Sequence, residues 1–290
     1  MRSVKYLVAA AGAASLFSSM AFAADMAIAP PPQMYAPPPV QDFGGWYLRG
    51  DIGFSNQSVK NVRSTNDALY TGLLTDSQQT GFDAAGVFGV GAGYQFNNWF
   101  RADVTGQYRG SSNFKGTELT TFPWAGQVAS GQDNYSASKS ELLFLANAYV
   151  DLGTWWCVTP FIGAGIGTSR VTISNFTDNG VTNKNYGTPN YVGGPPVASG
   201  YSAPSGSQWN LAWAAHAGLA YKVTPSLTLE LAYSYVDLGD GFTGAAVAFD
   251  GSAGGHPFKF KDITSQDLKL GIRWNLESPP VYAPPLIRKG

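Results

Sequence analysis

The chain has 290 residues, of which 13% are charged and 44% hydrophobic, and its formal net charge is −1. Nothing in that balance points to nucleic acid, and none is expected as a partner; the lone Cys157 excludes an internal disulfide. Abundant glycine, with 35 copies, and 14% aromatic residues fit an exported β-structure.

The first residues have the layout of a secretory signal. Arg2 and Lys5 make a positive start, Tyr6 to Phe17 are mostly small and apolar, and Ala21-Phe22-Ala23 is a cleavage site. A signal peptide over 1–23 is expected, leaving Ala24-Asp25 as the mature start. No later segment reaches ~18 consecutive apolar residues, so a transmembrane helix is not expected. Residues 24–43 form a Pro-rich spacer. The run Pro30 to Pro39 cannot build a helix or an interior strand. As an extended polyproline segment it spans ~60 Å.

Eight strands are expected next. Trp46, Leu48, Gly50, Ile52 and Phe54 share one face of the first, with Tyr47, Arg49 and Asp51 opposite. The second, near 85–96, sets Phe88, Val90, Ala92 and Tyr94 against Gly89, Gly91, Gly93 and Gln95. The third alternates most strictly: Phe100, Ala102, Val104, Gly106 and Tyr108 against Arg101, Asp103, Thr105, Gln107 and Arg109. In the fourth, near 139–152, Leu142, Phe144, Ala146, Ala148 and Val150 oppose Glu141, Asn147, Tyr149 and Asp151. The fifth, near 157–170, alternates glycine with apolar residues and leaves its facing open. The sixth, near 208–223, sets Trp209, Leu211, Trp213 and Leu219 against Asn210, His216 and Lys222. In the seventh, Leu227, Leu229, Leu231 and Tyr233 oppose Thr228, Glu230 and Ser234; in the eighth, near 266–276, Leu268, Leu270, Ile272 and Trp274 oppose Asp267, Lys269 and Arg273.

Connection lengths alternate. Short turns follow strands two, four and six, and long segments near 55–84, 110–138, 171–207 and 239–263 follow the others. Outer-membrane barrels have short periplasmic turns and long external loops. The expected fold is therefore an all-β, eight-stranded antiparallel transmembrane up-and-down barrel over 44–276, with long extracellular loops and a Pro-rich periplasmic tail over 277–290. Both termini then lie in the periplasm. Aromatic residues at the strand ends, Trp46, Phe96, Trp99, Trp155, Trp156 and Trp274 among them, form an interfacial girdle.

The inward charges are the candidate site: Arg49, Asp51, Arg101, Asp103, Arg109, Glu141, Asp151, Lys222, Glu230, Asp267, Lys269 and Arg273. They would line an ion pathway or pair into a filled plug. An eight-stranded barrel is just wide enough for side chains to fill, and unpaired buried charge is costly, so the plug is the expected outcome. His216 and His256 lack the convergent ligands a metal site needs. No metal, cofactor or catalytic group is expected; Ser207 and His216 stand too far apart on one strand to act together. Tyr70, Tyr135, Tyr186, Tyr191 and Tyr201 are expected as exposed loop rings able to stack on a ligand.

Asn98 to Val104, Thr159 to Gly167, Ala220 to Leu229 and Leu268 to Trp274 resemble the small OmpA-like outer-membrane barrels of alphaproteobacteria. So does Ala24-Asp25 followed by a Pro-rich stretch and Gly44-Gly45-Trp46-Tyr47. The resemblance covers nearly all of the mature chain. It implies an abundant envelope protein in outer-membrane lipid and lipopolysaccharide, inserted by the barrel-assembly machinery. It also implies that Ala24, with Asp25 beside it, is joined to peptidoglycan by L,D-transpeptidases, with a surface role toward host or haemin ligands or as a narrow porin. The Pro-rich tail after Trp274 departs from the family's usual aromatic ending.

Overall fold

The computed structural model describes residues 44–185, 191–251 and 253–276. Ala24, Asp25, Tyr186 and both Pro-rich segments lie outside the described residues. One antiparallel sheet contains eleven strands: β1 (Gly45–Ser58), β2 (Asn61–Ser64), β3 (Thr75–Phe82), β4 (Ala85–Gln95), β5 (Phe100–Trp124), β6 (Gln127–Asp151), β7 (Val158–Asn185), β8 (Tyr191–Ala203), β9 (Gly206–Lys222), β10 (Leu227–Ala248) and β11 (Ala253–Asn275).

Eight of these close a ring. β1 pairs with β4, β4 with β5, β5 with β6, β6 with β7, β7 with β9, β9 with β10, β10 with β11, and β11 returns to β1. These correspond to the eight expected strands. The count of eleven differs because β2, β3 and β8 arise inside segments expected as loops. Much of 55–84, 110–138, 171–207 and 239–263 is strand, not loop. These stretches carry the ring upward beyond its apolar belt as a second, water-facing storey. Their outer face is Ser, Thr, Asn and Gln rather than Leu and Trp, so composition alone reads them as loops.

The lower rim holds the start of β1, the end of β11 and the three tight turns. Each turn has a local cause. The Asn97 side chain accepts hydrogen bonds from the Trp99 and Phe100 amides at 3.0 and 2.8 Å, closing the β4–β5 turn. Thr224 accepts from the Leu227 amide at 3.0 Å between β9 and β10. The β6–β7 turn puts Trp156 and Cys157 at φ 49° and 67°. Cys157 is exposed there.

The outward face of the lower storey is a continuous apolar belt. Leu48, Ile52, Phe54, Val90, Val104, Phe144, Ile166, Leu211, Leu231 and Leu270 are all exposed. Near the lower rim, Trp46 meets Tyr94 edge-on at 5.3 Å, and Phe96 contacts Tyr94 at 5.1 Å and Phe100 at 5.4 Å. Near the upper border Phe144 stacks on Trp209, and Trp213 contacts Tyr235. Two girdles bound one belt, the arrangement a bilayer imposes.

Bulges separate the storeys. On β5 the inward residues are Arg101 to Arg109 at odd positions, then Ser112, Phe114 and Glu118 at even positions, with a register shift between Arg109 and Ser112. β7 shifts phase at Asn175 (φ 53°) and β11 at Asp262 (φ 52°). Each bulge inserts one residue and re-aims every side chain above it.

Candidate functional site

The interior is filled at both levels. Glycines on the lumen face leave the volume. A Cβ on Gly163 would lie 2.4 Å from the Tyr149 ring, and one on Gly165 2.0 Å from Asn147 Oδ1. This settles the facing of the fifth expected strand. Phe161, Gly163, Gly165, Gly167 and Ser169 point in, while Ile162, Ala164 and Ile166 point out.

The lower lumen holds a charge network. Arg49 pairs with Asp51 at 2.8 Å and Asp103 at 2.9 Å, and its guanidinium donates to the Tyr149 hydroxyl at 3.0 Å. Glu230 lies 3.5 Å from Arg49, 3.4 Å from Arg101 and 3.2 Å from Arg273. Arg101 also reaches Asp151 at 3.3 Å, and its guanidinium lies over the Tyr149 and Phe161 rings. Higher up, Arg109 pairs with Asp267 and sits 3.9 Å from Glu141. Glu141 binds Lys139, which also donates to Gln57.

Every expected charge but one is buried there. Lys222 keeps inward parity, but β9 ends at that residue and its side chain is exposed. Its place in the balance is taken by Lys139, which lies outside the expected set. The buried set is Arg49, Arg101, Arg109, Arg273, Lys139 and Lys269 against Asp51, Asp103, Asp151, Asp267, Glu141 and Glu230. Six cations meet six carboxylates, so the formal charges of this lower layer cancel. The period-two phase of β6 continues unbroken through Lys139, which was the available signal.

His216 joins this network. Its Nδ1 lies 2.8 Å from Ser234 Oγ and its Nε2 3.1 Å from Asn147 Oδ1. Asn147 in turn donates to Asp103 at 2.7 Å and Thr105 at 3.1 Å. Ser234 is 0% exposed, so this His–Ser contact is sealed inside the packing. Ser207 instead sits on the outer wall, 2.9 Å from the Thr172 hydroxyl.

An apolar core caps the charged layer. Phe114, Phe176, Phe258, Phe260, Ile173, Leu238 and Val236 pack together inside the upper storey. Tyr135 joins them instead of standing exposed in a loop, and its hydroxyl donates to Glu118. Tyr70 and Tyr201 are half-buried, and Tyr191 is exposed.

Above the core lie three carboxylates. Glu118 faces Asp133 across the β5–β6 ladder, and Asp178 lies diagonally beyond on β7. Burial pushes the Asp178 carboxyl up to about 8, and the charges of Asp133 and Glu118 push the same way. Burial also raises Asp133 and Glu118. An unfolded aspartate titrates at about 3.9. The folded upper storey therefore holds a proton that the unfolded chain releases, and its stability falls as pH rises from about 4 to about 8. Asp178→Asn should abolish most of that loss. Amide exchange along upper β6 and β7 at pH 5 and pH 8, corrected for intrinsic rates, measures it; an identical pH slope in the variant would contradict the assignment.

A family model described as outer membrane protein beta-barrel domain matches residues 9–275. An uncharacterised protein of Brucella suis biovar 1 is 31% identical over 239 residues, covering 77% of this chain and 78% of its own. A Rickettsia felis protein named as a candidate adhesin is 27% identical and covers 93% of this chain and 98% of its own. Among solved structures, neisserial surface protein A is 17% identical with a TM-score of 0.41, covering 80% of this chain and 97% of that one.

Proposed function

The chain belongs to the outer membrane protein β-barrel family, and from that premise we propose a structural envelope protein: a filled barrel in the bacterial outer membrane, tethered to peptidoglycan at its mature N-terminus. The carrying observation is the filled lumen. A charge-balanced layer below and an apolar core above leave the barrel suited to anchoring rather than conduction. Both ends of the described barrel meet at the lower rim, where Tyr47 pairs with Asn275. On this reading the lower rim, where β1 begins, faces the periplasm. The Pro-rich stretch and the Ala24-Asp25 start supply reach and an α-amine as acyl acceptor.

Muramidase digestion of cell walls tests this directly. The protein should be released carrying a muropeptide mass on the peptide that begins at Ala24. Asp25→Ala should reduce that species without changing the heat-modifiable gel shift of the barrel. An unmodified Ala24 peptide in cells with active L,D-transpeptidases would remove the tether.

The filled lumen also bears on a narrow-porin role. Purified full-length protein in planar bilayers should give small, infrequent currents. Large stable conductance would require the apolar cap to move aside and would favour the porin.

A second reading, a surface receptor or adhesin, is favoured by the upper storey, which stands clear of the apolar belt, and by the name of the Rickettsia felis relative. Binding of intact cells to host surfaces, with and without this protein, separates the two roles.

A further inference from the structure

Between β2 and β3 the wall of the upper storey has a seam without a backbone ladder. β1 and β4 pair residue by residue up to Ser55 and Ala85. Above that point their continuations diverge: β2 pairs with β11 and β3 pairs with β5, and no ladder joins β2 to β3. Around much of the rest of this storey backbone ladders join β5 to β6, β6 to β7, β7 to β8 and β10 to β11. β8 meets β10 only at Val247 and Ala248, and above the last β9–β10 pair, Trp213 with Asp237, Asn210 donates to the Leu238 and Asp240 carbonyls at 3.1 and 2.7 Å.

Side chains close the gap. The Gln78 carboxamide takes the place of a peptide group: its Oε1 accepts from the Val62 amide at 3.0 Å and its Nε2 donates to the Val62 carbonyl at 2.7 Å. The same Nε2 donates to Glu118 at 2.6 Å, and Glu118 is held by Tyr135. One hydrogen-bonded strap thus runs from β6 through β5 and β3 to β2. The Tyr70 hydroxyl accepts from the Ser64 amide at 2.7 Å, and Arg63 on β2 pairs with Asp76 on β3. Behind the strap lies the apolar core.

We propose that the β2–β3 seam is a latch in the extracellular wall, released when Gln78 lets go of Val62, through which the wall parts and the core beneath is exposed. A ladder fails only when several backbone bonds break together, whereas this seam depends on one carboxamide and a few long side chains with rotamer freedom to regain. Parting the seam leaves every backbone ladder intact.

The test uses the full-length chain in micelles with Cys157→Ala, so that Ala137→Cys, small and buried in the upper core, is the single thiol. Its rate of labelling by a water-soluble maleimide reports opening. Adding Gln78→Ala should accelerate labelling about tenfold, the effect of losing two ordinary hydrogen bonds. Adding Thr243→Ala removes a comparable bond to the Phe258 amide on the β10–β11 side, away from the seam. That variant should label at close to the parent rate. An unchanged rate in Gln78→Ala, or an equal acceleration in Thr243→Ala, would overturn the latch, the latter because loosening would then be general.

Discussion

Replacing Glu230 with glutamine is expected to cost about 3–5 kcal/mol of barrel stability, the penalty for leaving buried charge uncompensated. Glu230 is 2% exposed and serves three arginines at once. Arg49 keeps Asp51 and Asp103, and Arg101 keeps Asp151, when Glu230 is neutralised. Arg273 keeps the Gln95 side-chain Oε1 at 3.3 Å and the Tyr47 ring face, but no ion pair with a carboxylate among the described residues. The double variant Glu230→Gln with Arg273→Met should therefore recover part of the loss, because it withdraws the most isolated cation as well. Urea unfolding in liposomes, followed by the heat-modifiable gel shift, measures both. A loss below ~1 kcal/mol for the single variant is the value typical of solvated pairs. It would show a wet lumen and reopen the porin reading.

The adjacent residue points the other way and carries the second large effect. Leu231 faces outward in the middle of the apolar belt, between Leu219 on β9 and Leu270 on β11. Leu231→Arg should cost ~2–4 kcal/mol near the bilayer midplane. The cause is transfer of charge into hydrocarbon, not a broken pair. Lysine at Thr228, an inward position close to the lower rim, should be milder because the ammonium can reach periplasmic water. Refolding into liposomes distinguishes the two parities. Equal losses at 228 and 231 would mean that the two faces are wrongly assigned.

The storeys differ in what their stability depends on. In the lower one, lipid outside and paired charge inside both demand strict alternation. In the upper one, water outside relaxes the outer face, and an apolar core inside does the packing. The buried carboxylates and the side-chain seam both belong to this upper storey, where departures from the strict pattern are tolerated.

The lower storey was legible from the chain alone because two opposite solvents write the same code. Wherever lipid meets one face and a charged lumen the other, residues such as Val104 and Asp103, or Leu231 and Glu230, cannot exchange places. Period two therefore marked the eight strands, the facing of all but the fifth, and all but one of the lumen charges. Lys222 misled because parity tells which way a side chain points but not where the barrel ends. The upper storey was hidden for a different reason. With water outside, Ser, Thr and Asn replace the apolar half of the pattern, and the bulges after Arg109, at Asn175 and at Asp262 reset the phase so that no window spans the break. Gln78 closing on Val62 and Asp178 buried beside two other carboxylates each join residues from different strands. Only the folded ring brings those partners within a hydrogen bond or a Coulomb contact, so the tertiary structure alone decided them.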